Sequence, residues 1–433
     1  MSSSTRVVVT GLGAVTPFGV GVSKFWNSLI QGKSAISAVK DEKLRKWSPA
    51  AAQVADFKAD EYLNKKQVKD LERYAQFGLV AALDALKDAG LLDKTSQELS
   101  DHIDRDRVGI SMGTTYGGVI ALEEGIERLA SSPSARVSPR LVSKSIPNSA
   151  AGAIAIQYGI RGPVLTYSTA CASSSNAIGE ALYWLKADAV DYAIVGGAEC
   201  LFSPAILAGL NVSGALAVQG PEDYPAWSRP FDANRNGMVM GEGAAILVLE
   251  PLDKALARNA NIYAELIGYG TSNDAYHETS PLPEGTGAAL AMEKAMKAAG
   301  VKPEQINYIN AHATATRMGD FAESKALHRV FEDHLHQIPV SSIKGAVGHM
   351  LGASGAIESI ASILALQTGW LPLTLNCDTP DMDAPPNLIR GQSLWQQTER
   401  ALSNSFGFGG QNSVLLWQSW NQETGDMACT PST

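Results

Sequence analysis

Three short stretches of this chain carry the side chains best suited to chemistry. Cys171 stands in "YSTACASSSNAIGEAL", between small residues and a segment that reads as the start of a helix. A thiol at a helix N-terminus has its thiolate stabilised by the backbone N–H groups and the dipole there. A buried, inert cysteine is the competing reading, because free cysteine is among the most buried residue types. His312, in "NAHATATRMGD", follows a strand-like run and precedes Thr314 and Thr316. His349, in "SSIKGAVGHMLGASGAIE", lies among glycines just before a helix, with Lys344 five residues upstream. Histidines in short strand-to-loop settings read as presented side chains rather than packing. A cysteine hydrolase needs one histidine and an orienting Asn or Asp. A second neutral histidine suggests two N–H donors holding a developing enolate oxygen, the demand of decarboxylative carbon–carbon bond formation. His328, His334 and His336, in "ALHRVFEDHLHQ", read instead as exposed helix surface, with no cysteine in that stretch to share a metal. No metal site is expected.

The 433 residues can bury a large core, and 45% apolar with 18% charged residues is a globular composition without tracts that argue for disorder. A formal net charge of −9 argues against a general nucleic-acid binder. Basic residues cluster locally in "KLRKW" (Lys43–Trp47) and in "NKKQVK" (Asn64–Lys69). Each cluster reads either as solvated surface or as a docking patch for an acidic partner. Cys171, Cys200, Cys377 and Cys429 are far apart and show no C-x-x-C spacing, so neither a disulfide framework nor a zinc site is expected. No apolar run is long enough to cross a bilayer, and the start "MSSSTRVVVTGLGAV" reads directly as a strand. A cytoplasmic setting fits best.

Strands and helices must position these groups. "RVVVTGLGAV", "RVGISMG", "YAIVGGAEC" and "GAAILVLEPL" are short apolar runs of the kind covered on both faces, while "ERYAQFGLVAALDALKDAG" has helical spacing and a glycine stop. After about Pro251 the series restarts with strand-like "IYAELIGYGTSND", helical "GTGAALAMEKAMKAAG", strand-like "INYINAHATAT" and helical "SGAIESIASILALQTG". "NSFGFGGQNSVLLWQ" reads as a glycine-rich loop feeding a last strand. The alternation predicts an α/β architecture in two halves of like topology, residues 1–255 and 256–420, followed by a polar tail at 421–433.

The combination "TACASS", "AHATAT…GD…AE", "SSIKGAVGHMLGASGA" and "NSFGFGG" resembles the β-ketoacyl-acyl-carrier-protein synthases, the condensing enzymes of fatty acid and polyketide synthesis. Four motifs in order, from about Arg6 to Trp417, carry the resemblance. It implies a thiolase-like fold of five layers, αβαβα, with two pseudo-symmetric halves. It also implies an acyl carrier protein as partner, substrates carried on its phosphopantetheine, no further cofactor, and a homodimer or a heterodimer with a ketosynthase-like subunit. Within it, Cys171 matches the acylated nucleophile, and His312 and His349 the pair that promotes malonyl decarboxylation. Lys344 matches the motif lysine, with Glu323 the acidic residue of its network. Thr314 and Thr316 match the threonines on the phosphopantetheine arm, and Phe408, beside Phe406, the gating phenylalanine of a loop completed by Gly409 and Gly410. The backbone N–H groups of Cys171 and Phe408 match the oxyanion hole. Lys65, Lys66 and Lys69 lie where such enzymes present basic residues to the carrier protein.

Several residues depart from the commonest family pattern. Ala313 replaces a frequent glycine, which is tolerable at negative φ. Arg317 stands where proline is usual, near the expected pantetheine entrance, and Gln411 where threonine is usual. Tyr116, in "MGTTYGG", takes the place of an acyl-pocket residue, and a phenol there predicts a shorter tunnel and short or flat acyl chains, unless the ring turns away. Arg140 and Ser143 replace a phenylalanine and a proline near the family's dimer interface. Two other functions compete. A chain-length-factor-like subunit lacks the nucleophile, which Cys171 opposes. A degradative thiolase adds a second cysteine in a C-terminal C-x-G motif, where this chain has "GFGG" and Cys429 falls outside.

Overall fold

The run "VVVTGLGAVT" is apolar or small throughout, and it forms strand β1 (Val7–Thr16), buried at every residue. In the computed structural model, which describes residues 5–93, 95–132 and 134–420, four further strands join it: β2 (Val108–Gly113), β3 (Val164–Tyr167), β4 (Tyr192–Glu199) and β5 (Gly243–Pro251). Their order across the sheet is β3-β2-β4-β5-β1. The second series is β6 (Ala264–Asn273), β7 (Tyr308–Asn310), β8 (Val340–Ser341), β9 (Arg400–Gly407) and β10 (Gln411–Ser419), in the order β8-β7-β9-β10-β6. Each strand of the second series thus occupies the place of its counterpart five numbers earlier. The directions repeat too: the first two pairings are parallel and the next two antiparallel in both series. The series meet through β1 and β6, paired at Val8 with Glu265 and Val9 with Ala264.

Helices cover these strands in matching ways, with α2 (Ser149–Tyr158) on β2 and β3 and α5 (Arg317–Phe331) on the helix that covers β6. α1 (Arg73–Asp88) lies on β1, where Gly11 and Gly13 leave room for the backbone of Ala85 and Ala81. A Cβ at Gly13 would collide with the Ala81 carbonyl. α4 (Thr286–Ala299) repeats this on β6, where a Cβ at Gly270 would collide with the Ala291 carbonyl. The glycine pairs of "TGLGAV" and "IGYGTS" therefore set the same close helix–strand approach twice.

Between the two sets of strands run α3 (Ser173–Lys186) and α6 (Ser354–Thr368), in contact with each other and with strands of both series. Residues 354–366 of α6 are all buried, as a helix in a middle layer must be. Small residues let the two helices approach. Ser174 Oγ accepts from the Ala356 N–H at 3.0 Å, and Ser175 Oγ lies 2.8 Å from Ser405 Oγ, so the buried hydroxyls are satisfied. The resulting order is helix, sheet, helix, sheet, helix.

Some elements differ from the sequence reading. The expected loop in "NSFGFGGQNS" is a hairpin, with β9 running into Gly407 and β10 starting at Gln411. β3 and β8, four and two residues long, are too short to show a period of their own. His328 and His336 are exposed, as expected, and His334 is half-buried. Cys429 and the polar tail lie outside the described residues.

Candidate active site

β3 delivers the chain to the site. After Tyr167 the backbone turns through Ala170, whose φ of 50° is left-handed, a conformation costing an L-residue about 1–2 kcal/mol. Ser173 holds the turn: its Oγ donates to the Ala170 carbonyl at 2.6 Å and accepts from the Thr169 N–H at 2.9 Å. Cys171 sits in the 3-10 turn Ala170–Ala172 that leads into α3. The second series repeats the device. Leu351, at φ 44°, opens the 3-10 turn Leu351–Ala353 into α6, and Gly352 stands where the first series has Cys171. No side chain fits at Gly352, because a Cβ would lie 2.6 Å from both Glu199 Oε2 and the Thr115 nitrogen. Glu199 instead accepts from the Gly352 and Thr115 N–H groups at 3.1 and 2.6 Å and from the Thr114 hydroxyl at 2.9 Å. One buried carboxylate thereby ties the end of β2 to the loop that carries His349.

Cys171, His312 and His349 are each at least nine-tenths buried. His349 Nε2 lies 3.0 Å from Cys171 Sγ, and its Nδ1 lies 2.9 Å from Ser354 Oγ. The hydroxyl can donate or accept, so Nε2 can either take the thiol proton or carry one. His312 is constrained differently. Its Nδ1 lies 3.5 Å from Lys344 Nζ, and an ammonium only donates, which leaves the ring proton on Nε2. The two rings meet edge to face at 5.3 Å. Burial, then the Lys344 charge, holds both histidines well below the usual pKa, so both are neutral at pH 7. Burial pushes the Cys171 thiol up to about 12, against the pull of Lys344 and of the Phe408 N–H that points at the sulfur. The resting site is a neutral thiol beside neutral imidazoles.

The cation responsible, Lys344, forms a buried ion pair with Glu358 of α6. Burial lifts the Glu358 carboxyl to about 7, although the ammonium draws it down. The family resemblance implies that Glu323 belongs to the lysine network, and burial lifts its carboxyl while the Lys344 charge is among the groups that draw it down. Glu323 accepts from the backbone N–H groups of His312 and Ala313 at 2.9 and 2.7 Å and from Asn404 Nδ2 at 3.0 Å, so it fixes the histidine's backbone while Glu358 holds the lysine. Cys171, His312 and His349 bring three potential metal-ligand atoms within 4.8 Å of one another. The Lys344 ammonium, which together with burial keeps the imidazoles neutral, would equally oppose a metal cation, so the set fits proton transfer better.

A cavity of about 500 Å³ connects these groups to solvent. Its inner end is buried Cys171, His312, His349 and Leu351, and its outer residues, among them Ser213, Ser280 and Arg317, are exposed. Thr314 and Thr316 line it with their hydroxyls 3.1 Å apart. Phe406 lies with its ring 5.9 Å from His312, and Phe408 stands partly exposed on the wall.

Residues 4–255 match the family profile "Beta-ketoacyl synthase, N-terminal domain", and residues 263–378 match "Beta-ketoacyl synthase, C-terminal domain". The chain belongs to the β-ketoacyl synthase family. Among its relatives, 3-oxoacyl-(acyl-carrier-protein) synthase 2 of Synechocystis sp. is 39% identical over 96% of this chain and 98% of its own length. A putative mitochondrial 3-oxoacyl-(acyl-carrier-protein) synthase of Schizosaccharomyces pombe is 41% identical over 96% of this chain and 100% of its own. Of the solved structures, a β-ketoacyl synthase from Burkholderia phymatum superposes with a TM-score of 0.88 at 33% identity, and a chain of the ishigamide ketosynthase/chain length factor with 0.87 at 32%. Each comparison covers 96% of this chain and 100% of the other.

Within this β-ketoacyl synthase, the structure brings Cys171, His312, His349, Lys344 and Glu323 to one place and lines the cavity with Thr314, Thr316, Phe406 and Phe408. Gly409 and Gly410 do not line it. They turn the hairpin at φ 74° and 70°, and the Gly409 N–H donates to the Glu278 carbonyl at 2.8 Å. Ala313 is buried at negative φ, as its methyl requires. Tyr116 is not on the cavity wall in the single chain. It is 51% exposed, in a loop whose Gly117 packs against Pro147. Lys65, Lys66 and Lys69 are exposed on the short helix Lys65–Asp70, whose side chains bond Gln67 to Gln157 and Asp70 to Arg140. Glu358 and Glu199 were missed. A lone acid in the apolar run "SGAIESIASILALQ" was the available signal for Glu358, since a buried carboxylate needs a partner.

Proposed function

We propose that this protein elongates acyl chains by decarboxylative condensation with malonyl-acyl-carrier protein, with Cys171 as the acyl-carrying nucleophile. The observation that carries the reading is the 3.0 Å contact between Cys171 Sγ and His349 Nε2, beside a His312 whose Nε2–H is set by Lys344. The thiol proton passes to His349 Nε2 as sulfur attacks the primer thioester, and the carrier thiolate leaves with that proton. Malonyl-carrier protein then enters. Its carbon–carboxylate bond breaks, CO2 departs, and the electron pair becomes an enolate whose oxygen accepts from the Nε2–H of His312 and, once exchange with solvent has moved the His349 proton from Nδ1 to Nε2 and the Ser354 hydroxyl donates to Nδ1, from that of His349. The enolate carbon attacks the acyl carbonyl, the N–H groups of Cys171 and Phe408 hold the oxyanion, and the carbon–sulfur bond breaks. The Cys171 thiolate takes a proton from solvent through His349. Acyl transfer to Cys171, read by intact mass with acyl-carrier substrates, tests this reading.

The partner in this reading is an acyl carrier protein, as the names of the relatives suggest, and substrates on its phosphopantetheine arm make a further cofactor unnecessary. A second chain is also expected. Among the described residues β3 has one edge unpaired, with Leu165 half-exposed, and exposed Ile126, Val142 and Ile156 lie on helices of the same half. Such an apolar edge needs covering. A second copy is the occupant we favour, with a ketosynthase-like subunit as the alternative, and a native mass equal to one chain would contradict both. No helix among the described residues is long and apolar enough to cross a membrane, and a cytoplasmic site of action accords with the sequence reading.

A further inference from the structure

The outer end of the cavity differs chemically from the inner end, and Arg317 makes the difference. Both Arg317 and Cys171 line the same cavity, one exposed and the other buried. The acidic side chains of that lining are already engaged. Glu323 is held by the His312 and Ala313 backbone, and Asp274 accepts from Asn412 Nδ2 at 2.7 Å and the Leu282 N–H at 3.0 Å. Neither forms an ion pair with Arg317 among the described residues.

Arg317 combines a fixed backbone with an unengaged head. Buried Arg235 donates from Nη2 to the Arg317 carbonyl at 2.9 Å and from Nε to the Thr316 carbonyl at 3.3 Å. Arg235 is in turn anchored by Asp320 and Asp381. The Arg317 guanidinium itself makes no hydrogen bond or ion pair with the described residues. Directly before it in the chain, the Thr314 and Thr316 hydroxyls face the cavity. A polar, amide-bearing arm lying along these hydroxyls with its thioester at Cys171 would leave its outer end at Arg317.

We propose that Arg317 is the subsite for the phosphate of the thioester-bearing arm, a specificity residue of the condensing reaction. The inference rests on the function proposed above. A guanidinium matches two phosphate oxygens at once and keeps its charge at every working pH, which the proline usual at this position cannot do.

The test compares malonyl-phosphopantetheine with malonyl-pantetheine, which differ only in the phosphate, using the full chain with acylated Cys171. The wild-type protein should favour the phosphorylated thioester by roughly tenfold in kcat/KM, mostly through KM, as expected for one charge-assisted contact partly open to water. Arg317→Ala should bring that ratio close to one, and Arg317→Lys should restore part of it. An unchanged ratio in Arg317→Ala, or an equal fall with both thioesters, would overturn the subsite. Failure of the wild-type chain to turn over either thioester would instead overturn the condensing reading on which it depends.

Discussion

The buried pair Lys344–Glu358 separates what the site needs for folding from what it needs for chemistry. Both side chains are about 1% exposed, and the ammonium also reaches His312 Nδ1 at 3.5 Å. Glu358→Leu strands a buried ammonium whose one remaining side-chain acceptor among the described residues is a neutral imidazole, and removing one partner of a buried pair costs about 3–5 kcal/mol. Lys344→Met should cost less, about 1–3 kcal/mol, the range for an unsatisfied buried group. The Glu358 carboxyl already titrates at about 7 beside the lysine, so without it the group is neutral at pH 7. The double variant replaces the pair with apolar side chains and should return to within about 1 kcal/mol of the wild-type stability. Activity should follow another pattern. Every variant lacking Lys344 frees the His312 tautomer, and loss of one oxyanion donor costs about 100- to 1000-fold in rate. Urea unfolding and malonyl decarboxylation, measured on all four proteins, decide the matter. A double variant that recovers activity along with stability would reduce Lys344 to a structural role and refute the tautomer argument.

Burial and Lys344 depress the pKa of both histidines, so the neutral forms persist below pH 6.5, and activity should be lost only as pH falls through the lowered values. The acid limb of kcat/KM is expected below pH 6.5 and should move to higher pH in Lys344→Met, whose lost cation eases protonation; a wild-type limb above 6.5 contradicts this. Gly355→Ala places a methyl against Ser175 Oγ where α3 and α6 cross, and chemical denaturation should show a loss of about 1–3 kcal/mol, the usual cost of overpacking. Tyr116→Ala should shift primer preference from C4 toward C12 acyl chains if the ring closes the acyl tunnel once a second chain covers that face. An unchanged preference would remove Tyr116 from the substrate path.

Long, regular segments were legible because burial writes a period into them. β1, α1, α4 and α6 all fall where apolar spacing and glycine stops place them, with Gly90, Gly300 and Gly369 at positive φ just beyond the helices. His312 and His349 were legible through their short, glycine-rich strand-to-loop surroundings, and Cys171 through their company and the family resemblance rather than through its own stretch. Contacts between residues far apart in the chain were not. Nothing local connects Glu199 with Gly352, or marks Glu358 rather than Glu323 as the partner of Lys344, because those choices depend on how two middle-layer helices cross. β3 escaped because four residues in which exposed Leu165 alternates with half-buried neighbours make a weak pattern. Tyr116 is where sequence pattern and single chain differ: its position in "MGTTYGG" suggests a pocket wall, while the single chain leaves it 51% exposed.

Intact-mass measurement of the protein after incubation with acyl-carrier thioesters is the most direct test of the nucleophile. A mass gain equal to the acyl group, mapped to the Cys171 peptide and absent in Cys171→Ala, is the expected result. No gain with any primer, or an equal gain in Cys171→Ala, would contradict Cys171 as the acyl carrier.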